Sequence, residues 1–336
     1  MSALRSDGAV VCFGEVLLRL SSPGAELLLQ SPQLNICVGG AEANVAVSLA
    51  TLGHDTGVLS TLPDNALGHA AHNELRRYGV DTSRIAFTPG RMGLYFLSPG
   101  AGGRAAEVIY DRAGSAFAVA QHTRTDWPGV LRGAGWFHVS GVTAALGPTI
   151  AEATIAAATE ARKLGLTVSF DCNYRAKLWQ AWNGDAPSIL SQLLAQSDLV
   201  FGNERDMTLI LGASFTDART AAQSAFAAFP NLKLMAGTSR TQHSVNRHAL
   251  SAALHTRNGV IETPPVDVTG IVDRIGAGDA FAAGLIHALR TNFEDAAAIR
   301  FALGAACIKH TIPGDFSLAS AADIEAFLAA DLSVRR

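Results

Sequence analysis

The 336-residue chain is 49% hydrophobic and 16% charged, with a formal net charge of −3, enough apolar material for a full α/β core. No basic block offers a nucleic-acid surface and no stretch is long and apolar enough to span a bilayer, so neither partner is expected. Cys12, Cys37, Cys172 and Cys307 are far apart and form no CxxC pair, and the first eight residues carry no signal-peptide core; a reducing cytoplasm is the expected compartment, without zinc or disulfides.

Residues 9–13 form a continuous apolar run that reads as a core strand, ended by Gly14 and Glu15; residues 16–20 continue it with mixed polarity. Residues 33–38 alternate, as a sheet with one wet face should. Gly39 and Gly40 break that pattern, and residues 41–52 take helical spacing up to Gly53. Strand 56–61 and helix 67–78 follow, then two short strands, 94–97 and 108–110, around a glycine-rich loop. Beyond them, strands at 136–140, 166–171, 198–201 and 232–236 alternate with helices at 149–164, 186–196, 204–211 and 218–229. Paired strands near 249–255 and 259–263 lead to three closing helices, the first opening after Gly278, the others at 295–309 and 321–328.

Repeated β-α units with glycine stops imply a doubly wound, mainly parallel α/β sheet covered by helices on both faces. No internal repeat or linker divides the chain, so one domain over 1–336 is expected. The strands near 15–20, 33–38, 91–98 and 106–112 do not fit the alternation and are placed in a small β-sheet lid over the pocket.

The most informative stretch is Gly276-Ala277-Gly278-Asp279, where a β-branched segment gives way to helical spacing. Two glycines allow a tight turn whose free amides, at the positive end of a helix dipole, would hold an anion. Asp279 in the first turn is a candidate base beside that anion, since phosphoryl transfer needs fixed dipoles and a carboxylate to take a proton. On these four residues alone, an N-terminal capping aspartate is an equal reading.

Three motifs in chain order, Gly39-Gly40-Ala41-Glu42-Ala43-Asn44, Asp64-Asn65-Ala66-Leu67-Gly68, and Gly276-Ala277-Gly278-Asp279 with Ala282-Ala283-Gly284, resemble the ribokinase-like (PfkB) carbohydrate kinases. Within that family the chain is most similar to the 2-keto-3-deoxygluconate kinases, on Gly93-Leu94-Tyr95-Phe96, Tyr110-Asp111-Arg112, Phe170-Asp171-Cys172-Asn173-Tyr174-Arg175 and Lys309-His310-Thr311-Ile312-Pro313-Gly314-Asp315. The resemblance implies an αβα sandwich, ATP and Mg²⁺, a small sugar acid held by Gly39, Gly40, Asn44, Tyr95, Tyr110, Arg112 and Arg175, and a homo-oligomer paired through the lid. It also implies catalysis by Asp279 with the turn Gly276, Ala277 and Gly278. Asn203 and Asp206, or Glu204 in its stead, would help place Mg²⁺, although Asp206 stands where the family has Glu and Asn203 reads equally as a helix cap.

Gly237 and Ser239 fall where relatives begin their adenine-binding loops, and Ala302, Ala306 and His310 share one helical stripe that would line the base. Arg274, in an Asp-Arg-Ile variant of the family's turn, either touches a phosphate or pairs with Asp273. Tyr110 and Arg112 share one strand face, and Arg175 follows Asp171 and Asn173 at the same two-residue period, so two arginines are expected to converge on a carboxylate. Asp111 should point to the opposite face. Fructokinase and ribokinase activities are the neighbouring alternatives. A non-catalytic sugar-acid sensor would have lost the glycines or Asp279, and a nicotinamide dehydrogenase would need a Gly-x-Gly-x-x-Gly after the first strand, which is missing.

Overall fold

The computed structural model describes Leu4 and residues 7–330. The leaderless reading of the N-terminus therefore falls largely outside the described residues. In the first half of the chain the strands are β1 (Ala9–Phe13), β2 (Leu17–Ser21), β3 (Asn35–Gly39), β4 (Thr56–Pro63), β5 (Ile85–Thr88), β6 (Gly93–Ser98), β7 (Glu107–Asp111) and β8 (Ala134–Ser140). Helices α1 (Ala41–Thr51), α2 (Ala66–Arg77), α3 (Ala116–Val119), α4 (Trp127–Val130), α5 (Gly141–Ala144) and α6 (Pro148–Lys163) lie among and after them. The second half adds β9 (Thr167–Asp171), α7 (Ala176–Gln180), α8 (Ala186–Ala195), β10 (Leu199–Phe201), α9 (Glu204–Leu211) and α10 (Ala218–Ala228). It ends with β11 (Leu234–Ser244), β12 (Arg247–Thr256), β13 (Gly259–Glu262), β14 (Val266–Thr269), α11 (Ala277–Arg290), α12 (Asp295–Lys309) and α13 (Ala321–Leu328).

The large sheet runs β13-β12-β11-β10-β9-β8-β1-β4-β5, with β14 also on β12, and is parallel from β11 to β5. Its central strands are covered on both sides, which is why β4 is buried along its whole length and β1 and β10 are unbroken apolar runs. Helices α11 and α12 pack closely through Gly284, where a Cβ would come within 2.9 Å of the Ala305 methyl and 3.0 Å of Ala302 Cα. Ala302 thus faces α11 and does not line a cleft, correcting its place in the base-lining stripe.

The second sheet, β3-β2-β6-β7, contains the four expected lid strands; β2 and β6 run parallel and the outer pairs antiparallel. Its inner face carries Leu17, Tyr95, Leu97, Val108 and Tyr110.

Several segments differ from expectation. Residues 237–241 were expected to begin a loop, yet β11 continues through them to Ser244, because β12 pairs antiparallel with it along the hairpin. Short elements, β5 and the one-turn helices α3, α4, α5 and α7, gave too few residues for a periodic signal.

Candidate active site

Helix α11 opens at Gly276, whose backbone is left-handed at φ 78°, and a Cβ there would lie 2.1 Å from the Asp315 carbonyl oxygen. Only glycine fits. Gly278 is different: no atom lies within 4 Å of where its Cβ would be, so it keeps the approach to the turn open and the fold does not need it. The Ala277 amide donates weakly to the Arg274 carbonyl at 3.4 Å, while the amides of Gly278 and Asp279 have no acceptor among the described residues. Two free donors at the start of a 14-residue helix make an anion site.

Asp279 is not the helix cap, since the cap is Gly276 and no side chain caps α11. Its Oδ2 accepts from Asn44 Nδ2 at 2.6 Å. Burial pushes its carboxyl up to about 7; the Asn44 bond and Arg175 oppose the rise, and the charges of Glu42 and Asp315 add to it. A carboxylate titrating near neutrality beside free amides suits proton abstraction. Asn44 itself lines the same cavity, and its Oδ1 is buried without a partner among the described residues.

That cavity, of about 370 Å³, lies between the large sheet and the lid. Gly40 forms one wall at φ 135°, its hydrogen taking the place where a Cβ would strike the Glu15 carbonyl. Gly39 does not line it; its missing side chain makes room for the Asp315 carboxylate, which a Cβ would approach to 2.1 Å. Tyr95 reaches the cavity, but its hydroxyl is committed to Asp315 Oδ2 at 2.7 Å, so it shapes the wall and holds Asp315 in place of donating to a ligand. Tyr110 stands beside it at 6.3 Å between ring centroids.

Arg112 enters from the lid as expected, with its Nε held by Glu15 Oε2 at 2.6 Å. Asp111 turns outward and pairs with Arg91 at 2.6 Å. Arg175 also lines the cavity, although not by strand alternation: β9 ends at Asp171, Asn173 turns at φ 34°, and Arg175 sits exposed just before α7. Asp171 lies in the same wall, pushed up to about 8 by burial and by the charges of Asp279 and Asp206.

A second cleft of about 490 Å³ meets the first at Arg274 and Gly278, which line both. Its walls include Ser239, Arg205, Arg240, Ala306 and His310. Asp273 is taken by Arg19 at 2.7 Å, which leaves Arg274 facing both clefts beside a second cation, Arg240. The His310 ring is fixed by Nδ1 on the Ala306 carbonyl at 2.7 Å. Gly237 is not in the wall: it permits close backbone approach, a Cβ there meeting the Gly202 carbonyl at 2.6 Å.

Asn203 and Asp206 form a reciprocal capping box on α9, the Asp206 carboxylate accepting from the Asn203 amide at 2.9 Å. Asn203 and Glu204 line the second cleft and Asp206 does not, so of the two acids Glu204 is the one in its wall. The described residues hold no cluster of three or more metal-ligating side chains. A magnesium ion carried by phosphate oxygens and water fits such a wall better than a protein-built cage.

Sequence reasoning gave no structural role to the residues beneath the site: Glu15, which also accepts from Ser115 Oγ, and the group of buried Arg19, Asp315 and Lys309 with half-buried Asp273. A charge inside an apolar strand, as in Leu17-Leu18-Arg19-Leu20, was the available signal.

Among the described residues no helix is long and apolar enough to cross a membrane. The sequence matches the model of the pfkB family carbohydrate kinases over residues 7–318. It is 32% identical to a 2-dehydro-3-deoxygalactonokinase of Haloferax volcanii, across 95% of this chain and 96% of that one. The structure of a 2-dehydro-3-deoxygluconokinase from Thermotoga maritima superposes with a TM-score of 0.90 at 37% identity, covering 96% of this chain and 100% of the other. A PfkB family carbohydrate kinase from Listeria grayi gives the same TM-score of 0.90 at 35% identity, covering 96% and 99%.

Proposed function

Since this chain belongs to the pfkB family of carbohydrate kinases, we propose that it transfers the γ-phosphoryl group of ATP to the terminal hydroxyl of 2-keto-3-deoxygluconate. Asp279 takes the hydroxyl proton. The amides of Gly278 and Asp279, with a lesser part from Ala277, receive the transferring group, and Arg274 neutralises phosphate charge where the two clefts meet. Ser239, Ala306 and His310 line the nucleotide side. Mg²⁺ offsets phosphate charge when bound, with Glu204 the nearby acid.

The observation that carries the substrate class is the presence of Arg112 and Arg175 in the wall of the cavity that holds Asp279. A carboxylate matches the free nitrogens of two guanidinium groups; a neutral hexose leaves Arg175 without a counter-charge and the outer nitrogens of Arg112, whose Nε Glu15 holds, without an anionic acceptor. The two named relatives differ at the sugar's C4, one in the galacto and one in the gluco series. ADP release is therefore measured against both 2-keto-3-deoxy acids, fructose and ribose, with and without Mg²⁺. Turnover confined to the acids and dependent on Mg²⁺ is the expected result; comparable turnover of fructose or ribose overturns the substrate assignment. Ile36 and Ile109, 62% and 47% exposed on the lid, support pairing of two copies through that sheet, and a cytoplasmic setting fits the four free cysteines.

A further inference from the structure

Beneath the turn that opens α11 lies a buried cation that the proposed chemistry does not touch. Lys309, the last residue of α12, is 0% exposed, and its Nζ donates to the Ile312 carbonyl at 2.9 Å. Its stem packs under the turn, Cε lying 3.4 Å from where a Gly276 Cβ would stand. Arg19 bridges Asp273 at 2.7 Å and approaches Asp315 Oδ1 at 3.2 Å, and the Gly314 amide also donates to Asp273, at 3.0 Å. Two cations thus stand against two carboxylates. A buried ammonium is costly, and a methionine would fill the same space without that cost, so packing alone does not account for Lys309.

We propose that Lys309 is a positioning residue of the anion site: it balances Asp273 and Asp315 under Gly276, so that the free amides of Gly278 and Asp279 meet a phosphoryl group above a neutral floor. This deepens the kinase reading and rests on it. Without the ammonium, two carboxylates against Arg19 would leave a net negative charge directly below the site. The charged and titratable groups facing Lys309 are Arg19 from β2, Asp273 before α11, Asp279 within it, the neighbouring His310, and Asp315, which Tyr95 of β6 holds. Burial pushes Asp315 up to about 6, against the pull of Arg19 and the Tyr95 bond, so in a protein without the ammonium, acidification toward that value neutralises the floor by another route.

The test is calorimetric binding of ATP and of ADP to the intact protein between pH 8 and pH 6, with thermal melts as a folding control. Lys309→Met should weaken ATP roughly tenfold at pH 8, the scale of one uncompensated nearby charge, and weaken ADP much less, since only ATP brings a γ-phosphate to the turn. Asp279 also gains protons over this range in both proteins, so the readout is the ratio of variant to wild-type affinity, which should return toward one at pH 6. Lys309→Met combined with Asp315→Asn should restore ATP binding at pH 8. Wild-type affinity in Lys309→Met, an equal loss for ATP and ADP at every pH, or no restoration in the double variant overturns the proposal. If Lys309→Met does not fold, Asp315→Asn alone carries the test: its floor is net positive, so it should bind ATP at pH 8 at least as tightly as wild type, and a selective loss of ATP sinks the idea. Wild-type protein that binds neither nucleotide overturns the kinase reading, and this inference with it.

Discussion

Arg112 and Glu15 are joined at 2.6 Å across the base of the lid, with side chains 6% and 0% exposed. The pair ties the end of β7 to the loop after β1, and Ser115 Oγ donates to the other Glu15 oxygen. Nε is spent on Glu15, which leaves the outer nitrogens of the guanidinium for a ligand. Glu15→Gln keeps an acceptor for the Arg112 Nε but removes its counter-charge, so it should fold at some cost in stability, less than Arg112→Ala, while loosening Arg112. The expected result is a KM for the acid substrate raised about 3–30-fold at nearly constant kcat, the loss of a charge-assisted bond that holds a binding group in place. Unchanged KM would show that the lid holds Arg112 without Glu15.

Asp279→Asn should cut kcat by about 10²–10⁴, the usual contribution of a positioned general base. In the wild type, kcat/KM should rise with pH through about 7. Asp171, pushed up to about 8 in the same wall, couples to it, so the apparent value belongs to both carboxyls. The sign for stability is opposite to that of an ordinary salt-bridged aspartate. A folded-state value above the unfolded one means the folded protein retains the proton between about pH 4 and 7, and its stability falls as pH rises through that window. Asp279→Asn should then be more stable than wild type at pH 8, by about 1–2 kcal/mol once the Asn44 bond and pocket water are discounted. Equal melting temperatures at pH 8 would contradict the burial argument, and near-normal turnover would remove Asp279 from the mechanism.

The parts of the site that the sequence made legible are local. The turn at Gly276 and Gly278, the glycine stop before Asn44, and the lid strands all announce themselves within a few residues, through glycine and through a period of two. Glu15, Arg19 and Asp315 do not, because their partners lie 97, 254 and 220 residues away, for Arg112, Asp273 and Tyr95 respectively. No local pattern encodes such pairs. Arg175 lines the cavity, but strand alternation does not bring it there: alternation stops at Asp171, and the Asn173 turn delivers the side chain. Gly39 and Gly237 read as ligand contacts because glycine also marks close backbone or side-chain approach, and the space beside each is filled by Asp315 and Gly202.

The two glycines of the turn should separate folding from binding. Gly276→Ala forces a side chain into left-handed backbone and against the Asp315 carbonyl, and should cost about 2–4 kcal/mol of stability, seen as a lower denaturation midpoint. Gly278→Ala should fold as well as wild type or slightly better, because its surroundings are open. Its methyl enters the phosphate approach, so the KM for ATP should rise roughly tenfold, and Gly278→Val should do worse. A destabilised Gly278→Ala with normal ATP kinetics would reverse these assignments.

The carboxylate reading is tested most cleanly at Arg175. Arg112→Ala would strand the buried Glu15 charge and lower stability by about 3–5 kcal/mol, so a loss of activity there confuses folding with recognition. Arg175 is exposed, and among the described residues its guanidinium donates to the carbonyl of its neighbour Tyr174 at 3.3 Å. Arg175→Ala should leave the melting temperature unchanged and weaken the acid substrate by about 1.5–3 kcal/mol, roughly 10–150-fold in KM, with little change for ATP. Arg175→Lys should recover part of this, since an ammonium keeps the charge and loses the two-pronged geometry. A second readout comes from Asp279, whose proton affinity Arg175 lowers: in Arg175→Ala the rise of kcat/KM should move to higher pH. Against a neutral analogue lacking the carboxylate, wild type and variant should perform about equally poorly. If Arg175→Ala instead loses the neutral analogue and the acid in the same proportion, the guanidinium does not read the carboxylate, and the acid specificity must come from elsewhere in the pocket.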